Sequence, residues 1–93
     1  MTKTEKTTFN LAHPFEYRGA EYIEFNMRRP KVRDLREFIK NVDKDGIGAM
    51  EKVLADLSET DQKVIQEIDV ADFAPMKKWF EDFLKPMIGD SND

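Results

Sequence analysis

Few side chains in this sequence could perform covalent chemistry. The chain has no cysteine and a single histidine, His13, which precedes a proline in a segment that alternates like a strand. A Ser-His-Asp triad would need Ser58 or Ser91 near His13, and neither serine lies in a nucleophile motif. Gly46 and Gly48 lack the third glycine of a phosphate-binding loop. The sequence therefore predicts no catalytic site and no cofactor, and we interpret His13 as a structural strand residue.

One segment resembles a calcium-binding EF-hand loop. The first half of the motif is matched at its positions 1, 3, 5 and 6 by Asn41, Asp43, Asp45 and Gly46. The bidentate glutamate that closes the calcium shell belongs at position 12, which is Lys52 here. Without that ligand the segment should bind calcium poorly, so we interpret it as a polar connection and predict no metal site.

A basic cluster lies in the first half of the chain, at Arg28, Arg29, Lys31, Arg33 and Arg36. Residues 1–46 carry ten basic and eight acidic side chains, whereas residues 47–93 carry five and eleven. Three interpretations remain open for this cluster: a solvated helix face, a protein-binding patch, and a nucleic-acid contact. The overall net charge of −4 disfavours nucleic acid, because domains that bind it are usually strongly basic.

Aromatic and methionine residues dominate the end of the chain. Phe73, Met76, Phe80 and Phe83 recur at helical spacing, which is typical of a buried helix face. We expect Phe80 and Phe83 to anchor the fold. Trp79 lies beside this stripe and could either flank the core or be exposed, and exposed aromatic and methionine side chains favour adaptable binding surfaces.

Length and composition indicate a single domain. Ninety-three residues, 40% hydrophobic and 37% charged, suffice for one core under a heavily solvated surface. The polar N-terminus does not resemble a signal peptide, and no apolar run approaches the roughly 18 residues of a membrane span. We therefore expect a soluble cytosolic protein that makes no membrane contact.

The first part of the chain predicts a β-hairpin. Residues 7–17 and 22–28 alternate with a period of two, and Arg18-Gly19-Ala20 between them reads as a turn in which Gly19 supplies a positive φ. Pro14 interrupts the first strand and predicts an edge strand or a bulge near His13.

The periodicity changes to helical after Pro30. Helical stripes are formed by Val32, Leu35, Phe38, Ile39 and Val42, by Ile47, Met50, Val53, Leu54 and Leu57, by Val64, Ile65 and Ile68, and by Phe73, Met76, Phe80, Phe83, Leu84 and Met87. A capping box from Ser58 to Asp61 is expected to open the third helix, and Asp69 or Asp72 to cap the last.

These patterns predict an α+β fold in which an N-terminal β-hairpin packs against about four short helices. The expected boundaries are a disordered N-terminus over 1–6, one domain over 7–88 and a frayed tail over 89–93. Within the domain, the hairpin covers 7–28 and the helices cover 32–88.

The order of three segments resembles a known family. Met27-Arg28-Arg29-Pro30-Lys31-Val32-Arg33-Asp34-Leu35 follows the hairpin, Met50 to Leu57 comes next, and Ile68-Asp69-Val70-Ala71-Asp72-Phe73 leads into the last helix. This order resembles the tail assembly chaperones of Mu-like and P2-like contractile-tailed phages and prophages, over about residues 9–84. Ile68, where leucine is more common, and the aromatic-rich last helix depart from the family pattern.

The resemblance implies a function. Such chaperones bind the long, helical tape measure protein in the host cytoplasm, keep it soluble until the tail tube polymerises around it, and are absent from the finished virion. It also implies contact with the tail tube protein and with a longer form of the chaperone made by translational frameshifting, of which this chain would be the shorter product.

Two alternatives stay open beside this interpretation. One is a small nucleic-acid-binding regulator that uses the Arg28–Arg36 cluster, and the other is a structural tail component retained in the virion. Under the chaperone interpretation we expect client contacts from the last helix, at Trp79 foremost and at Met76 and Phe73. Arg28, Arg29, Arg33 and Arg36 are expected to contribute charge steering.

Overall fold

The chain begins with an antiparallel hairpin. A computed structural model describes residues 6–86, in which β1 (Lys6–Tyr17) pairs with β2 (Ala20–Arg28). Arg18 and Gly19 form the two-residue turn, with φ values of 52° and 81°. Two positive φ angles match the right-handed twist of the strands, which confirms the predicted turn at Gly19 and adds Arg18 to it.

A large bulge interrupts β1 where Pro14 was predicted to break it. Asn10 pairs with Glu24 and Phe15 with Tyr22, so four residues of β1 lie opposite Ile23 alone. The proline has no N–H to give to the ladder, and the residues before it leave the register. The predicted bulge near His13 is confirmed.

Four helices follow within the described residues: α1 (Val32–Val42), α2 (Gly46–Ser58), α3 (Gln62–Ile65) and α4 (Val70–Leu84). Aspartates begin the last three. The carboxylate of Asp45 accepts the N–H of Gly48, that of Asp61 accepts the N–H of Lys63, and that of Asp69 accepts the N–H of Ala71.

One predicted helix start is wrong, and the structure decides between the two alternatives for another. Ser58 is the last residue of α2, where its hydroxyl donates to the carbonyl of Leu54, so it does not open α3. Of the two aspartates considered for α4, the cap is Asp69, which leaves Pro75 inside the helix. A proline there cannot donate to the carbonyl four residues earlier, so α4 lacks one of its internal bonds.

The core lies between the hairpin and the helices. Phe25 and Met27 of β2 are 3% and 0% exposed, and Phe38 of α1 meets Phe80 of α4 edge-on with ring centroids 5.2 Å apart. The remaining core is mostly aliphatic, from Leu11, Ala49, Met50, Val53, Leu54, Ala55, Leu57, Val64, Ile65, Ile68, Met76 and Leu84. The predicted α+β architecture is confirmed: a hairpin followed by four helices in one globule.

Some predictions concern the chain ends. Residues 1–5 and 87–93, including Met87 and the predicted tail, lie outside the described residues, and Lys6 is the first residue of β1. None of the helices described is both long and apolar enough to cross a bilayer.

Candidate partner-binding site

An internal ion pair joins the end of the hairpin to the start of α1. Arg28, the last residue of β2, donates through both terminal nitrogens to Asp34, with N–O distances of 2.9 and 3.1 Å. The same carboxylate accepts the backbone N–H of Lys31 at 2.7 Å, across the start of α1. Burial alone would raise the pKa of Asp34, but the hydrogen bonds from Arg28 and Lys31 outweigh it and hold that pKa below its ordinary value.

An apolar groove lies beside this ion pair, between the start of α1 and the end of α4. Its walls are Pro30, Lys31, Val32 and Leu35 on one side and Phe80, Phe83 and Leu84 on the other. Val32 is 69% exposed, although the helical stripe predicted it to be buried. Further along α1, Ile39 is 45% exposed for the same reason: α1 turns Asp34 and Phe38 inward, so Val32 and Ile39 lie outside the buried face.

An aromatic cluster continues the groove toward the hairpin. The Trp79 ring meets Phe83 of its own helix and Phe9 of β1 edge-on, with centroids 5.2 and 5.7 Å apart. The guanidinium carbon of Arg29 lies 5.4 Å from the centroid of the Phe83 ring, a cation–π distance. Trp79 and Phe83 are both half-buried, and Trp79 and Phe9 pack against the core, so the cluster joins the core to the surface.

The structure separates the four arginines that were predicted to act together. Arg28 is held by Asp34, which reduces the charge that the cluster offers to phosphates or to a protein, and Arg29 lies over Phe83. Arg33 and Arg36 are exposed on α1. Near the groove lie Arg29, over Phe83, and Arg36, one helical turn from Val32, while Arg28 is held in the internal ion pair.

The predicted contacts on α4 are also separated. Met76 is 0% exposed and belongs to the core, so we withdraw it as a contact residue. Phe73 is half-buried near the start of α4, in a second apolar depression with Ile47 and Val70. Ten residues of helix, about 15 Å, separate Phe73 from Phe83, and the two line different depressions.

The loop that resembles an EF-hand has a structural role. Asp45 caps α2, which begins directly at Gly46, and the side-chain amide of Asn41 donates to the carbonyl of Glu37. Among residues 6–86, no cluster of three or more His, Cys, Asp or Glu side chains is arranged to hold a metal ion.

Asp72, a residue that the sequence analysis considered only as a cap, joins α4 to the β1 bulge. Its two carboxylate oxygens accept the backbone N–H groups of Ala12 and His13, both at 2.9 Å. These donors lie where the strand ladder is interrupted, so Asp72 replaces their missing partners. The bond from Ala12, followed by that from His13, lowers the pKa of Asp72.

Comparison with known protein families gave a match over most of the chain. Residues 8–85 match the model of a family described as phage tail assembly chaperone proteins, E, or 41 or 14. The chain belongs to this family of phage tail assembly chaperones. The resemblance noted from three short segments is thereby confirmed. Neither the curated proteins nor the solved structures gave a significant match.

The segments that carried the resemblance serve mainly the architecture of this tail assembly chaperone. Arg28 and Asp34 of the first segment form the internal ion pair, and Asp69 and Asp72 of the third segment cap α4 and hold the β1 bulge. The groove itself was missed, because the exposed Val32 had been counted with the core. The sequence did contain one sign that Val32 is exposed, because it lies between two basic residues, Lys31 and Arg33.

Proposed function

We propose that this tail assembly chaperone binds the tape measure protein of its phage and keeps it soluble until the tail tube polymerises around it. The observation that carries the proposal is the family match over residues 8–85, nearly the whole of the chain. The protein then acts by binding alone. The exposed apolar groove supports this, because a chaperone needs apolar surface that a client can cover.

The proposal includes a place and a sequence of events. The chaperone acts in the host cytoplasm, is displaced when tube subunits assemble on the tape measure protein, and does not remain in the mature virion. A longer, frameshifted form of the chain is proposed to share the client. Such displacement is easier when many chaperone molecules bind weakly along the client. Together they can cover a long segment, and each can still be replaced by a tube subunit.

Co-expression tests the central claim. The tape measure protein of the same phage is produced alone, with this chain, and with an unrelated soluble protein of similar size and yield. The proposal predicts that only this chain raises the soluble fraction of the tape measure protein and co-purifies with it. Equal insolubility in all three cases would refute the proposal.

Analysis of purified particles tests the second part. Mass spectrometry of virions should detect the tube and tape measure proteins without a stoichiometric amount of this chain. Retention at a fixed copy number would instead identify the chain as a structural tail component.

A further inference from the structure

The groove between α1 and α4 has the form of a helix-binding surface. Val32, Leu35 and Ile39 follow one another on α1 at spacings of three and four residues, with Val32 and Ile39 exposed and Leu35 half-buried. Such a row lies along one side of a helix, where it can receive the i, i+3 and i+7 anchors of a second helix. Phe83 on α4 supplies the opposite wall near Val32.

The charges around the groove are mainly positive. Lys31 lines the groove, and Arg36 is exposed on α1 one turn from both Val32 and Ile39. The acidic groups of α1 point elsewhere: Asp34 is paired with Arg28, and Glu37 faces the depression between α1 and α2. On the α4 side, Asp82 lies near both Lys78 and Lys85, at 3.7 and 3.4 Å.

This local positive charge contrasts with the whole chain, whose net charge is −4. An acidic segment is therefore attracted more strongly to the groove than to the surface as a whole. Opposite charges on the rim of an apolar contact raise the association rate and select the partner and its register.

We infer that the groove binds an amphipathic helix of the client, whose apolar side is flanked by aspartate and glutamate. The apolar side covers Val32, Leu35 and Phe83, and the carboxylates face Lys31 and Arg36. In identifying this helix as part of the tape measure protein, the inference rests on the proposed function. The binding chemistry of the groove can be tested without that protein.

Two valines provide a matched pair of variants. Val32 and Val70 are each the first residue of a helix, and they are 69% and 81% exposed. Glutamate is favourable near a helix N-terminus, so Val32→Glu and Val70→Glu should both leave the fold intact. Only Val32→Glu places a polar, negative side chain in the groove. Circular dichroism and urea unfolding midpoints should be the same for both variants and for the wild type.

The probes are two synthetic amphipathic peptides of about 18 residues, which is five helical turns. They share one leucine stripe and differ only in carrying glutamate or lysine beside it. Fluorescence of Trp79, which contacts Phe83 at the groove, reports binding. We expect the wild type to bind the glutamate peptide at least about tenfold more tightly than the lysine peptide. Val32→Glu should weaken the binding of the glutamate peptide by about tenfold or more, and Val70→Glu should change that affinity by less than about twofold.

Several outcomes would overturn the inference. Equal binding of the two peptides would remove the charge preference, and equal losses in the two valine variants would place the contact elsewhere. Stronger binding of a DNA oligonucleotide than of the glutamate peptide, abolished by Arg33→Glu with Arg36→Glu, would identify a phosphate-binding surface instead.

Co-expression with the tape measure protein separates this inference from the proposed function. If the wild type and Val32→Glu solubilise that protein equally, the proposed function stands and the groove is not its binding site. If the wild type fails to solubilise it while the peptide results hold, the groove is correctly assigned and the client is a different protein.

Discussion

The ion pair between Arg28 and Asp34 provides the sharpest test of the structure, because one isosteric substitution removes its charge. Asp34→Asn leaves an oxygen for the N–H of Lys31 but turns an NH2 group toward the guanidinium of Arg28. That guanidinium has two bonds to the carboxylate, at 2.9 and 3.1 Å, and both lose their charged acceptor. The junction between β2 and α1, which forms one wall of the groove, should loosen.

The expected loss follows from the burial of the two side chains. Removing one partner of a fully buried ion pair costs about 3–5 kcal/mol, whereas exposed pairs contribute about 0–1 kcal/mol. The side chains of Arg28 and Asp34 are 16% and 4% exposed, so the pair is nearer the buried limit, and the guanidinium can still reach some water. We therefore expect Asp34→Asn to lower the free energy of unfolding by about 2–4 kcal/mol, a large share of the ~5–10 kcal/mol of such a domain.

Urea unfolding followed by the fluorescence of the single tryptophan, Trp79, measures this loss. The control is Asp82→Asn, the same substitution in an aspartate whose side chain is 51% exposed and whose lysine contacts are long. The control should change the unfolding free energy by less than about 1 kcal/mol. Equal effects of the two substitutions, or a loss below about 1 kcal/mol for Asp34→Asn, would refute the reasoning.

The same pair predicts a pH dependence. The folded-state pKa of Asp34 lies below its ordinary value of 3.8, so its contribution is complete above that value and is lost as the pH falls through the lowered pKa. The difference between the wild type and Asp34→Asn should therefore be constant near neutral pH and shrink in acid. A difference that grows in acid would contradict the assignment.

Three further predictions follow from the packing, and urea midpoints measure all of them. Phe80→Ala should cost about 3–5 kcal/mol because its ring is 1% exposed, while the half-buried Phe83→Ala should cost about 1–2 kcal/mol; equal losses would contradict their placement. Glu59→Gly should stabilise the domain by about 0.5–1 kcal/mol, because Glu59 directly follows α2 and has a φ of 60°, a conformation that favours glycine. An unchanged midpoint would argue against strain there. Asp72→Asn should destabilise the domain at pH 7. Because the pKa of Asp72 is lowered in the folded state, this loss of stability should disappear as the pH falls and the wild-type carboxylate is protonated. The control is Asp69→Asn, in which the asparagine oxygen should still accept the N–H of Ala71 and cap α4 at all pH values.

Only part of the candidate site could be predicted from the sequence. Trp79 and the exposed Arg33 and Arg36 were identified as surface candidates, because a run of basic residues and a tryptophan beside an apolar stripe can be recognised directly in the sequence. Met76 was predicted both on the buried stripe and as a client contact, and its burial agrees with the first prediction alone; Val32 was counted with the core and is exposed. Both residues lie on apolar stripes. A stripe shows which side of a helix faces the core, but it does not show how far the neighbouring helices cover the residues at its margins.

Features that depend on a few adjacent residues were determined by the sequence alone. Gly19 supplies the turn and Pro14 breaks the strand ladder, because each acts through its own backbone geometry. The cap of α4 was narrowed to Asp69 or Asp72, and the structure shows that it is Asp69. The order of three short segments was also enough to indicate the family.

Tertiary structure alone decided which aspartates act over long distances and which apolar residues remain in solvent. Asp72 accepts its bonds from Ala12, sixty residues away, where a strand has lost its ladder partners. The groove exists because α1 turns Asp34 and Phe38 inward, so that Val32 remains outside. The burial of a residue depends on which distant helices and strands pack against its segment. The periodicity of one segment does not identify those neighbours.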